Sequence, residues 1–395
     1  MMKFHFCLRV YGLGLAIALV QFMVVAAPAE PYAIAVPSPT GSYKVGTSSM
    51  RFVDLSRNDP YVRANNRELL IQLWYPASTV QGYHLVDYSS PKVWRYISQL
   101  TGVDLPPIST NSVQNAPIVA GPHPLVLLTH GYTGTLTDYT FLAEDLASRG
   151  YVVASVAHTY ESTAVEFPDG RLVLSVLGSH FRVDALRTDE QTISFAAHVR
   201  EQDISSVLDE LQRRNATSGD FLASHLDFRR VAVMGHSLGG IAALAIVSRD
   251  PRISAAIVMD APAGANSATG TGKPVLILAA GRDQWGARDC QLWRNLRGPR
   301  LLVELRGAEH LTASDAVWLA KNFPQLEAPT GAMGTEKTVS AMRNYIAAFL
   351  DYVLLAKPKS PLLLGPSPDY PDVALTTEKQ PLCGELVRSR LASNR

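Results

Sequence analysis

The sequence predicts an α/β protein with a mostly parallel, doubly wound central sheet and helices on both faces. Two observations carry this expectation. From residue 124 onward, short apolar runs alternate with helix-patterned segments, and strands covered by helices on both sides are apolar on both faces. One such run, Val231-Ala232-Val233-Met234, leads into Gly235-His236-Ser237-Leu238-Gly239-Gly240 and then the helix-forming Ile241-Ala242-Ala243-Leu244-Ala245-Ile246. That order reads as strand, turn and helix, with glycines two before and two after Ser237 letting strand and helix pass close together. At 395 residues, 47% hydrophobic and 18% charged, the chain buries a large core, as one big domain or one with long insertions.

Taken in order, the segment 37–46 is rich in proline, glycine and serine and reads as an extended lead-in. Strands are expected at 50–54 and 69–75. Proline punctuates 81–124, where 93–100 is the only short helix candidate. The regular alternation then sets in: strand 124–129, amphipathic helix 138–149, strand 151–156. The region 167–200 interrupts it with a hairpin and a polar segment, and helix resumes over 201–213. Later strands are expected at 231–234, 255–259, 275–280 and 301–305, with a last helix over 337–355. The tail after Lys357 is proline-rich and polar and is expected to pack loosely. No internal repeat is found. The organisation expected is a leader over 1–29, a catalytic domain over 30–356 with insertions at 81–123 and 167–200, and a tail over 357–395.

Charge excludes some partners. Thirty-six basic and 35 acidic residues leave a net charge of +1, which offers no electrostatic footprint for nucleic acid and no polybasic stretch for anionic lipid. Near the N-terminus, Lys3 and Arg9 precede an apolar stretch over 10–27, and Ala27-Pro28-Ala29 supplies small residues for cleavage. Cleavage near Ala29 and export to the periplasm or outside the cell are expected, against the alternative of a retained anchor. Cys7 would leave with the leader; Cys290 and Cys383 remain, as one disulfide or two free thiols. Asn215-Ala216-Thr217 matches a glycosylation sequon.

The turn at Ser237 thrusts a hydroxyl out at the head of a helix, where the helix N-terminus and the Leu238 amide favour developing negative charge. Such a hydroxyl needs a base to take its proton and a carboxylate to orient that base. In this fold the chain order is serine, acid, histidine. His310 is the only histidine after Ser237 and sits on a loop beyond the strand 301–305. Two aspartates end strands between them: Asp260 closes Ile257-Val258-Met259, and Asp283 follows Leu276-Ile277-Leu278-Ala279-Ala280. Strand geometry leaves the two level. For the oxyanion, one amide is expected from Leu238 and a second from Tyr132, in the glycine-permitted loop Thr129-His130-Gly131-Tyr132-Thr133-Gly134. His158, at the end of the next strand, is expected to be structural, with pocket lining as the alternative.

These residues resemble the secreted (type II) platelet-activating-factor acetylhydrolase family, within the α/β-hydrolase superfamily. Beyond the serine turn, the likeness includes Pro39-Thr40-Gly41-Ser42-Tyr43-Lys44-Val45-Gly46-Thr47, Gln72-Leu73-Trp74-Tyr75-Pro76, His130-Gly131, Leu146-Ala147-Ser148-Arg149-Gly150-Tyr151-Val152-Val153-Ala154 and Arg306-Gly307-Ala308-Glu309-His310. The resemblance implies the acid at the position of Met259-Asp260-Ala261, which favours Asp260 and leaves Asp283 as the rival. Leu238 stands where phenylalanine is frequent in that family.

The resulting expectation is an exported serine esterase with the triad Ser237, Asp260 and His310, acting on short-chain carboxylic esters such as the acetyl group of a phospholipid. The chemistry calls for no cofactor and no metal. Its partner is a small-molecule or phospholipid ester substrate, with at most a weak contact to a membrane or lipid surface. Two alternatives stand beside it: a cutinase- or polyester-hydrolase-like carboxylesterase that uses Asp283, and a non-catalytic binding module on a hydrolase fold. An intact serine, a downstream histidine and two candidate acids weigh against the second.

Overall fold

Apolar on both faces, the segments His123–Thr129, Val152–Ala157 and Ala255–Met259 are buried at every position, as strands enclosed between two helical layers must be. They form the middle of an 11-stranded sheet in the computed structural model, which describes residues 34–178, 189–263, 270–281 and 285–383. The expected leader and Asp283 lie outside the described residues.

In chain order the strands are β1 (Lys44–Asn58), β2 (Asn66–Ala77), β3 (Leu85–Asp87), β4 (Ser109–Gln114), β5 (His123–Thr129), β6 (Val152–Ala157), β7 (Ala164–Glu166), β8 (Leu172–Leu174), β9 (Leu226–His236), β10 (Ala255–Met259), β11 (Val275–Ala280), β12 (Arg300–Leu305) and β13 (Val373–Thr377). The helices are α1 (Pro91–Thr101), α2 (Thr140–Ser148), α3 (Glu190–Ala216), α4 (Leu238–Arg249), α5 (Ala287–Asn295), α6 (Ala316–Asn322) and α7 (Thr335–Leu355). The sheet order is β13-β12-β11-β10-β9-β5-β6-β2-β1-β4-β3, and β7 and β8 make a separate hairpin. From β12 to β6 every pairing is parallel. The chain leaves β5 to one side for β6 and later returns to its other side as β9. Ligands of open α/β sheets bind beyond the carboxyl ends of strands at such a reversal.

The period-2 alternation of the strands sorts side chains to two faces. Leu125, Leu127, Val231, Val233, Ala256 and Val258 pack with Ile204, Val207 and Leu208 of α3 and with Ala242, Ala243 and Val247 of α4. Val126, Leu128, Ala232, Met234 and Ile257 pack with Phe141, Leu142 and Leu146 of α2 and with Met342, Tyr345 and Phe349 of α7.

Three segments differ from the sequence expectation. The stretch 81–123 adds the strands β3 and β4 to the sheet, while the helix expected at 93–100 is α1, bounded by Pro91 at its start and by left-handed Gly102 at its end. Helix α3 begins at Glu190 rather than at 201, capped by the Asp189 carboxylate, which accepts the Thr192 N–H at 2.9 Å; its buried face carries Arg200, Glu201 and Asp203, whose polarity obscures the apolar period. The tail is not loose. Its Val373 and Leu375 are buried in β13, antiparallel to β12, and Cys383 is disulfide-bonded to Cys290 of α5 with Cα atoms 5.9 Å apart. Beyond β12 the sheet edge is open to pairing, and the tail satisfies it. At the sequon, the Asn215 carboxamide binds both main-chain groups of Leu226, at 2.9 and 3.3 Å.

His158 follows β6 and is completely buried. Its Nδ1–H donates to Asp203 at 2.9 Å, and its Nε2 accepts from the Thr129 hydroxyl at 2.8 Å. Arg67 meets the same carboxylate at 2.6 Å and Asp59 at 2.9 Å. Burial opposes charge on Asp203, but Arg67 and His158 outweigh it and hold the carboxyl far below its usual range. Burial pushes the His158 pKa down to about 4, so the ring is neutral in the folded state.

Two outcomes are expected. Removing both cysteines (Cys290→Ser with Cys383→Ser) frees a crosslink spanning 93 residues, and chemical denaturation should show a loss of about 2–4 kcal/mol. For His158 the unfolded chain binds the proton more readily, so the stability of its neutral form is present above pH 6.5 and lost as pH falls toward about 4. The Tm gap between wild type and His158→Gln should therefore narrow across that window; a constant gap would show that the ring does not titrate there.

Candidate active site

Strand register brings the site together. Thr129 of β5 pairs with Gly235 of β9, and His236 of β9 pairs with Met259 of β10. Gly131, Ser237 and Asp260 therefore emerge side by side just past the carboxyl ends of three adjacent strands.

Ser237 is held in a sparsely populated backbone conformation, φ 52° and ψ −119°, which costs roughly 1–3 kcal/mol for a residue with a side chain. Its surroundings enforce it: Ser237 N–H donates to Met259 O at 2.9 Å, and Ile241 N–H donates to Ser237 O at 3.1 Å. The flanking glycines are a steric requirement. A Cβ on Gly235 would lie 2.2 Å from the Gly239 carbonyl oxygen, and one on Gly239 would lie 2.3 Å from that of Thr129. Strand, helix and the loop after β5 thus meet backbone to backbone.

His310 stands on a short helical turn beyond β12, about half exposed. Its Nε2 lies 3.0 Å from Ser237 Oγ and its Nδ1 lies 2.6 Å from Asp260 Oδ2. A carboxylate only accepts, so Nδ1 carries the ring proton and Nε2 faces the serine hydroxyl as the acceptor. Asp260 is buried, and its Oδ1 accepts the Ala280 N–H at 3.1 Å. Its own backbone is left-handed, φ 39°, with its N–H bonded to Leu278 O at 2.6 Å. The three side chains expected from sequence are therefore in one hydrogen-bonded line, with the Asp260 carboxylate on His310 Nδ1. Leu238 is buried as the first residue of α4, and Tyr132, half-buried, packs against it with Leu177, Ile193 and Ile241. His158 touches none of these and lies in the core.

Sequence reading missed a second line of groups behind the first. Gly131 N–H donates to Tyr139 Oη at 3.1 Å, and Tyr139 O–H donates to His236 Nδ1 at 2.9 Å. His236 Nε2–H in turn donates to the His310 carbonyl at 3.0 Å. The His236 and His310 rings lie 4.6 Å apart. The loop after β5 and the loop after β12 are thereby joined through a residue of the serine turn itself. His236 was visible in that turn, but its partners are 97 and 74 residues away. Further along the His310 loop, the Asp315 carboxylate accepts the N–H groups of Thr140 and Phe141 at 3.0 and 3.2 Å, capping α2 from outside the helix. Burial pushes the Asp315 pKa up to about 7.

Comparison with known proteins agrees with this architecture. A platelet-activating factor acetylhydrolase from Bos taurus is 24% identical over 351 residues, covering 80% of this chain and 76% of the relative. A cutinase from Thermobifida cellulosilytica is 28% identical over 132 residues, 33% of this chain and 37% of its own. Among solved structures, a ferulic acid esterase from Streptomyces cinnamoneus shares 34% identity with a TM-score of 0.72, covering 87% of this chain and 99% of that one. The fold is that of the α/β hydrolases, and the chain is a carboxylic-ester hydrolase. Residues 32–352 match the family described as platelet-activating factor acetylhydrolase, isoform II, and the chain belongs to that family.

Proposed function

We propose that the site is a serine esterase centre in which Ser237 is the nucleophile, His310 the general base and Asp260 the group that orients it. The observation that carries this reading is the unbroken hydrogen-bonded line from Asp260 through His310 to Ser237. Ser237 Oγ attacks the ester carbonyl while its proton passes to His310 Nε2. The tetrahedral oxyanion is taken by the amides of Tyr132 and Leu238, and its collapse expels the alcohol, which leaves with the proton from His310. Water then repeats the cycle on the acyl-enzyme, releasing the acid and restoring Ser237. Asp260 keeps the imidazole in the tautomer that accepts the serine proton and stabilises the imidazolium that forms.

The substrate class is a short-chain carboxylic ester, the acetyl ester of a glycerophospholipid being one member. Family membership supports it, as does the apolar cluster of Tyr132, Leu177, Ile193, Leu238 and Ile241 beside the serine. A second reading rests on the 34% identity to a ferulic acid esterase: an aromatic acyl group stacked along the same wall, which also carries Tyr61 and the half-exposed Phe195, 5.7 Å apart edge to face. We place the working protein outside the cytoplasm. The Cys290–Cys383 disulfide supports this, since structural disulfides persist in oxidising compartments.

A fluorophosphonate probe should label wild type and leave Ser237→Ala unlabelled; equal labelling of both would remove Ser237 from the chemistry. Asp260→Asn should lower kcat by about 10⁴ through the wrong imidazole tautomer, with Asp283→Asn close to wild type. The reverse pattern would transfer the acid role to Asp283. For the substrate, kcat/KM should be highest for acetyl and butyryl p-nitrophenyl esters and for an acetylated phospholipid, and should fall with chain length. A preference for methyl ferulate over all of these would favour the aromatic reading.

A further inference from the structure

Arg200 of α3 is completely buried directly behind the loop that carries Tyr132. Its guanidinium serves three acceptors. Nε–H donates to Glu161 at 2.7 Å, one terminal amino group donates to the His130 carbonyl, and the other donates to the Gly131 carbonyl at 3.2 Å. The Gly131 oxygen takes a second bond, from His130 Nδ1–H at 2.7 Å, while His130 Nε2 accepts from the Ser162 hydroxyl at 2.7 Å. Two buried side chains thus converge on one carbonyl, which also accepts the Gly134 N–H at 3.1 Å. The next residue but one, Thr133, has φ 50°, so the loop is held in a conformation it would not keep unaided.

The peptide linking Gly131 to Tyr132 is trans, and in a trans peptide the C=O and N–H point in opposite directions. We propose that Arg200, backed by Glu161, is a positioning residue for ester hydrolysis: by drawing the Gly131 carbonyl into the protein it turns the Tyr132 N–H outward, toward the substrate oxygen. The inference rests on the reading of Tyr132 as an oxyanion donor. If the guanidinium is lost, rotation of this one peptide brings the Gly131 carbonyl to the outer face, and a donor is replaced by an acceptor where negative charge develops. The fork geometry matters as much as the charge. Lysine carries its three donors on a single point and cannot span Glu161 and two successive carbonyls in one plane.

The test compares wild type with Arg200→Lys, which keeps the buried positive charge opposite Glu161, and with Glu161→Gln, which keeps an acceptor for Nε–H. The substrate is p-nitrophenyl acetate, and the inhibitor is an alkyl boronic acid whose tetrahedral adduct on the serine places an oxygen in the oxyanion position. Arg200→Lys should retain its circular dichroism and lose about 10²–10³ in kcat with KM changed by less than about threefold. Its inhibition constant for the boronic acid should rise by the same factor as the loss in kcat/KM. Glu161→Gln should show a smaller loss in the same two quantities. A folded Arg200→Lys with kcat and boronic acid affinity within about threefold of wild type overturns the inference. A purely structural role would lower Tm without moving boronic acid affinity relative to KM, and overturns it equally. Failure of wild type itself to bind the boronic acid or react with a fluorophosphonate counts against the serine reading instead. Should neither variant fold, a crystal structure of the wild-type boronic acid adduct decides. Arg200 on the Gly131 carbonyl with the Tyr132 amide on the adduct oxygen is expected; the opposite rotation of that peptide refutes the proposal.

Discussion

Where β9 becomes α4, two backbones touch. The space that a Cβ of Gly235 would need is filled by the Gly239 carbonyl, and the space beside Gly239 is filled by the carbonyls of Thr129 and His130. No side chain fits at either position, so this junction can be made only by glycine. Much else at the site depends on the contact. It forces Ser237 into its left-handed conformation, lifts the hydroxyl clear of the sheet edge, and brings the loop after β5 against the first turn of α4. The strain is sustained because a parallel sheet buried on both faces supports it from below, and because Met259 and Ile241 tie Ser237 down through its own N–H and C=O.

Around that turn, polar side chains act as fixed struts rather than surface decoration. His236, Tyr139 and Gly131 connect the loop after β5 to the backbone of His310. Asp315 connects the same histidine loop to the start of α2. Arg200 and Glu161 approach from α3 and meet the main chain at His130 and Gly131. Each strut joins segments distant in sequence, and each is buried, so its hydrogen bonds are made at low dielectric and are costly to break. Loops supported in this way hold donors and acceptors still while charge develops, which is the condition for electrostatic stabilisation of a transition state.

The Asp203, His158 and Thr129 side chains reproduce in the core the order carboxylate, imidazole, hydroxyl that Asp260, His310 and Ser237 make at the site. What separates the two is solvent access. His310 is about half exposed, whereas His158 is wholly enclosed and pinned by Arg67 acting on its carboxylate. Hydrogen-bond order alone therefore does not make a reactive group. The surrounding burial decides whether a substrate can approach and whether the imidazole can accept a proton.

Local rules were enough to read the chain as an α/β fold with a serine at a strand-to-helix turn, because glycine spacing and apolar runs leave a mark within a few residues. Chain order also made Ser237 and His310 visible, since only one histidine follows the serine. The choice between Asp260 and Asp283 was level on local grounds, as both aspartates end buried strands. Pairing of Met259 with His236 is what sets Asp260 beside Ser237, and such register is a property of two strands rather than one. The Cys290–Cys383 pairing was one of two alternatives the sequence left open, whereas the start of α3 and the tail strand β13 were hidden for a related reason. Charged residues on a buried helix face and a lone edge strand carry no apolar period of their own. The sequence by itself determined which groups could react and the backbone turn that presents one of them. Resemblance to a family favoured Asp260, but the arginine and the second histidine that stand behind these groups are visible only in the tertiary structure, because their contacts join residues 39 to 97 positions apart.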